Sequence, residues 1–211
     1  MRRALRSTFV LTLLASVAAP LAAAPRSAIQ LDDGWQARIA PSDGAAIAAH
    51  RPEARWFPAR VPGSIQQDLI ARHRVPDPFL ATNEAAIQWV GRTDWQYRRT
   101  LAVTPAMLAR DHLDLVFDGL DTFATVTING HAVLTAANAH RRWRIAAKPF
   151  LKAGANEILV TFAAPIKTLQ PMVMAQKASL PGEYDSAFGD EPKGRQTSPY
   201  IRKPKYNYSW D

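Results

Sequence analysis

Between Trp95 and Phe162 the chain alternates apolar and polar residues with the period of two that a half-buried β-strand requires. Trp95–Val103 shows it with aromatic residues. Leu113–Phe117 shows it strictly, with Leu113, Leu115 and Phe117 on one face and Asp114 and Val116 on the other. Thr122–Ile128 is rich in β-branched residues and runs into Asn129-Gly130, a strong two-residue hairpin signature, so Ala132–Thr135 is expected as the return strand. Trp143–Ala147 and Glu157–Phe162 complete the series. Short strands at this spacing predict an all-β antiparallel sandwich rather than a parallel α/β sheet.

Before Trp95 the pattern is mixed. Ile29–Ile39 reads as two short strands around Gly34, and 41–52 as an alanine-rich loop or short helix. Arg55–Val61 alternates weakly up to a Pro62-Gly63 turn. Ser64 is placed to cap a helix over Ile65–His73, with Ile65, Leu69 and Ile70 on one face, and Pro76 and Pro78 must end it. Asn83 is placed to cap a second short helix ending near Gly91. Beyond the strands, Ile166, Leu169 and Val173 could share a helix face, but Pro171 is expected to interrupt it. Residues 165–211 therefore read as a long loop, without periodicity from Pro181 to Lys205.

The extreme N-terminus is different. Arg2, Arg3 and Arg6 precede an apolar stretch from Thr8 to Val17 and the small residues Ala22-Ala23-Ala24, the order of a secretory signal peptide. Residues 1–24 are thus expected to be removed, leaving 25–211 as one domain in the periplasm or outside the cell. The apolar run is short for a membrane span, and no other stretch is a candidate. The chain contains no cysteine, which excludes disulfides and thiolate chemistry. Its 47% hydrophobic and 21% charged residues are those of a globular protein. The formal charge is +8; loss of the three n-region arginines leaves +5. Basic clusters such as Arg141-Arg142-Trp143-Arg144 suit nucleic acid, but export argues against that partner.

No catalytic constellation can be assembled from motifs in the chain. Glycosidases place two carboxylates about the scissile bond, and none of the 18 carboxylates forms an evident pair. Glu183, Asp185, Asp190 and Glu191 read as a solvated acidic loop. His50, His73, His112, His131 and His140 lack metal-ligand spacing, and neither a nucleophile elbow nor a phosphate loop is present. No cofactor or metal is expected. Trp35, Trp56, Trp89, Trp95 and Trp143 read as core residues. Trp210 stands apart, because it follows a loop and precedes Asp211; an indole for stacking beside a carboxylate for hydroxyls suits a sugar subsite.

Several blocks resemble the N-terminal domain of glycoside hydrolase family 2 β-mannosidases. They are Trp56-x-x-Ala59-x-Val61-Pro62-Gly63 with the helix around Asp68-Leu69; Pro76-Asp77-Pro78-Phe79 with Asn83-Glu84 and Gln88-Trp89-Val90; and Asp94-Trp95-x-Tyr97-Arg98. Leu115-x-Phe117-x-Gly119-Leu120-Asp121-Thr122 follows, then Val126-x-Ile128-Asn129-Gly130, and finally Ile201-Arg202-Lys203-Pro204-x-Tyr206 with Trp210-Asp211. Together they span roughly residues 30–211. The resemblance implies a galactose-binding-like jelly-roll sandwich with short helices, lacking its last strand or strands. It implies a β-mannoside as ligand and a C-terminal (β/α)8 barrel that carries both glutamates of a retaining mechanism. Neither the barrel nor those glutamates occur in this sequence, so the fragment alone is expected to be inactive. The dipeptides Asn83-Glu84 and Asn156-Glu157 look like the family's acid/base motif but fall in jelly-roll blocks. By the resemblance, Trp210 and Asp211 belong to a loop that helps bind the nonreducing-end mannose. Two other readings remain: a different family 2 specificity, of β-galactosidase or β-glucuronidase type, and a free-standing carbohydrate-binding module.

Overall fold

The computed structural model describes residues 27–178, 191 and 194–203. The expected signal peptide, most of the acidic loop and the Trp210-Asp211 pair lie outside them. Among the described residues eight strands form two antiparallel sheets: β1 (Gln36–Ile39), β2 (Phe57–Pro58), β3 (Trp95–Val103), β4 (Asp114–Phe117), β5 (Phe123–Ile128), β6 (His131–Ala137), β7 (Trp143–Ala146) and β8 (Gly154–Ala163). The larger sheet has the order β2-β1-β3-β8-β5-β6, and β4 pairs with β7 in the smaller one. This is the all-β sandwich that the alternation predicts.

Strand register explains which residues are buried. Trp95 opposes Phe162, Tyr97 opposes Val160, and Val160 opposes Val126, so these side chains share one face of the larger sheet. Val126, Ile128 and Ile158 are fully buried there. Each such aliphatic side chain contributes about 1.5–3 kcal/mol by leaving water. The small sheet covers one half of this face, packing Leu115 and Ala147 against Val126, Ile128 and Val160. Short helices cover the other half, where Ala37, Ile39 and Trp95 meet Leu69, Ile87 and Val90. Tyr97 touches both clusters and joins them.

The β5–β6 hairpin closes as expected. Asn129 and Gly130 both have positive φ, 50° and 83°, the backbone that a tight turn matched to strand twist requires. The helix after Pro62-Gly63 also forms, as α2 (Ile65–Ala71). Its Ser64 hydroxyl accepts from Gln67 N, and the Gln67 side chain accepts from Ser64 N, a complete capping box.

Other expectations are corrected. Only one strand forms in Ile29–Ile39; the carbonyl of Leu31 accepts from the Trp35 indole instead of a strand partner. The alanine-rich stretch, by contrast, takes one of its two expected forms, a short helix, α1 (Gly44–Ala49), whose cap is Asp43. The next helix, α3 (Asn83–Ile87), begins after Thr82 rather than Asn83, because the Asn83 amide donates to the Asp77 carbonyl. One further turn, α4 (Pro105–Leu108), links β3 to β4. The stretch from Pro165 is not loop throughout: α5 (Pro165–Met174) continues past Pro171. Burial of Leu169 and Val173 holds it, and the carbonyl that Pro171 leaves without a donor belongs to Lys167, an exposed residue that water can reach.

Candidate functional site

The segment that leads toward Trp210 and Asp211 is anchored where it is described. The Arg195 guanidinium donates to the carbonyls of Val173 and Gln176 at the C-terminal end of α5, at 3.4 and 2.8 Å. There its positive charge faces the carbonyl-rich end of the helix, adding to the bond that Val173 O already accepts from Gln176 N. The Tyr200 hydroxyl bonds Gln176 at 2.8 Å. Buried Thr197 donates its N–H to Glu191 at 2.7 Å, so this member of the acidic loop has a structural partner. Arg202 accepts from Ala139 N in the β6–β7 connection, and Lys203 pairs with Asp121 between β4 and β5 at 3.3 Å.

The buried carboxylates hold structure. Asp68 accepts from the Arg60 backbone N–H with both oxygens and pairs with the Arg60 guanidinium at 3.4 Å. Burial raises its pKa despite these donors. The Tyr97 phenol is raised too, first by burial and then by the charge of Asp68, and stays protonated. Asp43 caps α1 and accepts from Asp94 N and Lys167 Nζ. Asp94 in turn accepts from Ala164 N at 2.7 Å. One acidic pair thereby ties the starts of α1, β3 and α5 together.

The two Asn-Glu dipeptides are likewise structural. The Asn129 amide donates to Phe150 O and to Asn156 Oδ1, and its oxygen accepts from Glu157 N. Fully buried Asn156 also bonds Lys152 and Gly154. Glu84 lies in the first turn of α3. Among the described residues no three potential metal ligands gather.

A polar arrangement that the sequence does not announce lies on the outer face of the larger sheet. Arg38 donates from Nε and Nη2 to Gln96 Oε1 at 3.1 and 2.9 Å. Gln96 Nε2 bonds Thr161 Oγ1 at 3.1 Å, and Arg98 Nε donates to Gln36 Oε1 at 2.9 Å. Both guanidiniums lie over the Trp56 ring, each 4.2 Å from its centroid. The core role expected for Trp56 is therefore corrected: its indole is half-buried beneath two cations on the sheet surface. The others pack inward. Trp35 and Trp95 are buried, Trp143 packs on the first cluster, and Trp89 packs on the second while stacking on His50 at 3.6 Å.

With this geometry in hand, comparison with known proteins decides the family. The family model for the glycosyl hydrolase 2 galactose-binding domain-like fold matches residues 35–211. The chain belongs to this family. Among curated relatives it is 31% identical to a β-mannosidase B of Thermothelomyces thermophilus over 189 residues, 89% of this chain and 20% of that protein. A β-mannosidase B of Aspergillus terreus is 32% identical over 74% of this chain and 18% of its own length. The crystal structure of a β-D-mannosidase from Dictyoglomus thermophilum superposes with a TM-score of 0.70 at 29% identity, covering 87% of this chain and 20% of that one. The chain thus spans about a fifth of the length of these relatives, and it is homologous to the galactose-binding-like part of glycoside hydrolases of β-mannosidase type.

Proposed function

We propose that this chain is the sugar-facing N-terminal domain of an exported β-mannosidase that releases terminal β-D-mannosyl residues. The observation that carries this reading is the superposition on the Dictyoglomus β-D-mannosidase over nearly the whole domain, in line with the β-mannosidase B relatives. Catalysis rests with a retaining glutamate pair in a barrel that this sequence does not contain, so the chain by itself does not hydrolyse glycosides. Trp210 and Asp211 are assigned to the nonreducing-end subsite, where an indole stacks on the C–H face of mannose and a carboxylate accepts from its hydroxyls. Residues 1–24 direct export to the periplasm or the medium. The carbohydrate is the ligand, and no metal or organic cofactor takes part.

The complete protein should hydrolyse p-nitrophenyl β-mannoside in preference to the β-galactoside and β-glucuronide. Trp210→Ala in that protein should raise KM, and Asp211→Asn should lower kcat/KM by about tenfold or more. The chain on its own should release no p-nitrophenol. Turnover by the purified chain, or a complete enzyme that prefers the galactoside or glucuronide, overturns the reading.

A further inference from the structure

On the outer sheet face, Gln96 Oε1 receives two bonds from Arg38, Gln36 Oε1 receives one from Arg98, and Thr161 Oγ1 accepts from Gln96. Side-chain acceptors are thereby engaged within the cluster. Among the described residues, Arg38 Nη1, both Nη atoms of Arg98, Gln36 Nε2 and the Thr161 hydroxyl proton are not used in these bonds and can donate to a ligand. Among the described residues neither guanidinium has a carboxylate within ion-pair distance. Burial first, and then repulsion by the like charge of the neighbouring Arg98, lower the pKa of Arg38, and the Glu157 carboxylate offsets part of this from beyond ion-pair distance. Trp56 and the two glutamines hold both cations in place against that repulsion. The result is a pre-formed, half-buried surface of donors, with the Nη1/Nη2 fork of Arg98 of the kind that grips carboxylate and Arg38 Nη1 as a further charged donor.

We propose that Arg38 and Arg98, held by Trp56 and flanked by Gln36, Gln96 and Thr161, bind a carboxylate-bearing saccharide, a uronic acid unit of an acidic polysaccharide, through residues other than Trp210 and Asp211. The choice of a sugar over an acidic protein surface rests on the carbohydrate reading given above. It also rests on the mixture of donors: guanidinium N–H groups for the carboxylate, interleaved with an amide and a hydroxyl that suit neutral ring oxygens. Such a site would hold the protein on charged polysaccharide while the barrel of the complete enzyme acts on mannosides.

Isothermal titration of the full chain with trigalacturonic acid, mannotriose and triglutamate tests this. Trigalacturonic acid should bind saturably, mannotriose should not compete at this site, and triglutamate should bind about tenfold more weakly or less. Arg38→Gln with Arg98→Gln should weaken trigalacturonate about tenfold or more, with circular dichroism unchanged. Arg38→Lys with Arg98→Lys, which keeps the charge and loses the Arg98 fork, should weaken it as well. Arg141→Gln with Arg142→Gln removes the same charge elsewhere and should change nothing. Equal loss in the two glutamine pairs would mean unspecific attraction to a basic protein, and triglutamate binding as tightly as the sugar would mean a protein carboxylate is the occupant. Either result, or no binding at all, overturns the proposal. Hydrolysis of β-mannosides is untouched by any of these outcomes and is tested separately.

Discussion

Asp43 shows at the scale of one residue how charge is used in this domain. Burial alone would raise its pKa, but the Lys167 ammonium and the backbone N–H groups of Asp94 and Ala46 outweigh burial and lower it. A carboxyl whose folded pKa lies below its unfolded value stabilises the fold above the unfolded pKa, near 3.8, and loses that contribution as pH falls through the folded value. Asp43→Asn keeps the shape and removes the charge. It should cost roughly 1–3 kcal/mol at pH 7 by urea unfolding, the lower part of that range reflecting the exposed Lys167 partner. The deficit should shrink as the pH is taken below about 3.8, where the wild type also loses its ion pair. Asp68 has the opposite sign. Its raised pKa means that its ionisation weakens the fold as pH rises between the unfolded and folded values, so the two carboxyls partly cancel in the acid limb of the stability profile. A difference between wild type and Asp43→Asn that does not vary with pH would refute this assignment.

At the scale of elements, the β5–β6 hairpin separates turn geometry from side-chain anchoring. Gly130 supplies a positive φ and a Cβ there would meet open space, so Gly130→Ala should cost only about 1 kcal/mol of backbone strain. Asn129 has the same kind of backbone and also bonds Phe150 O, Asn156 Oδ1 and Glu157 N. Asn129→Ala leaves buried Asn156 short of a partner and should cost about 2–4 kcal/mol. Urea unfolding of the two variants should rank them in that order, and equal losses would show that the turn alone matters. This hairpin was legible in the sequence because its signal is local: two residues dictate the turn, and alternation dictates the flanks. β3, β4 and β7 were legible for the same reason. Pro171 misled because propensity is also local, whereas the burial of Leu169 and Val173 that overrides it depends on tertiary packing. The Arg38–Trp56–Arg98 cluster was invisible in one dimension. Arg38 and Gln96 are 58 positions apart, and Arg98 and Gln36 are 62 apart. Only strand register brings them together. The proposal that Trp210 and Asp211 bind mannose rests on family resemblance alone, since one tryptophan beside one aspartate carries little pattern of its own.

At the scale of the whole molecule, the two sheets are unequal, and that inequality has a consequence. The larger sheet ends in β6, which among the described residues pairs only with β5. The smaller sheet consists of β4 and β7 alone among those residues, and Val116 on β4 is exposed. Unpaired strand edges present rows of free N–H and C=O groups that another chain can extend. The relatives matched by this chain are about five times as long, so they contain polypeptide that can shield such edges, whereas the chain on its own relies on its charge of +8 to keep copies apart. The purified chain should therefore self-associate as concentration rises, and more so in high salt, where repulsion is screened within about 3 Å at 1 M. Light scattering coupled to size exclusion measures this directly. Thr135→Lys, on an exposed position of β6, places a charge on the edge and should shift the onset of association to higher concentration without changing stability by more than about 0.5 kcal/mol. If association persists unchanged in Thr135→Lys, the edge at fault is that of the β4–β7 sheet, and Val116→Lys should then suppress it. If neither substitution matters, or the chain stays monomeric in high salt, the edges are already protected within the domain.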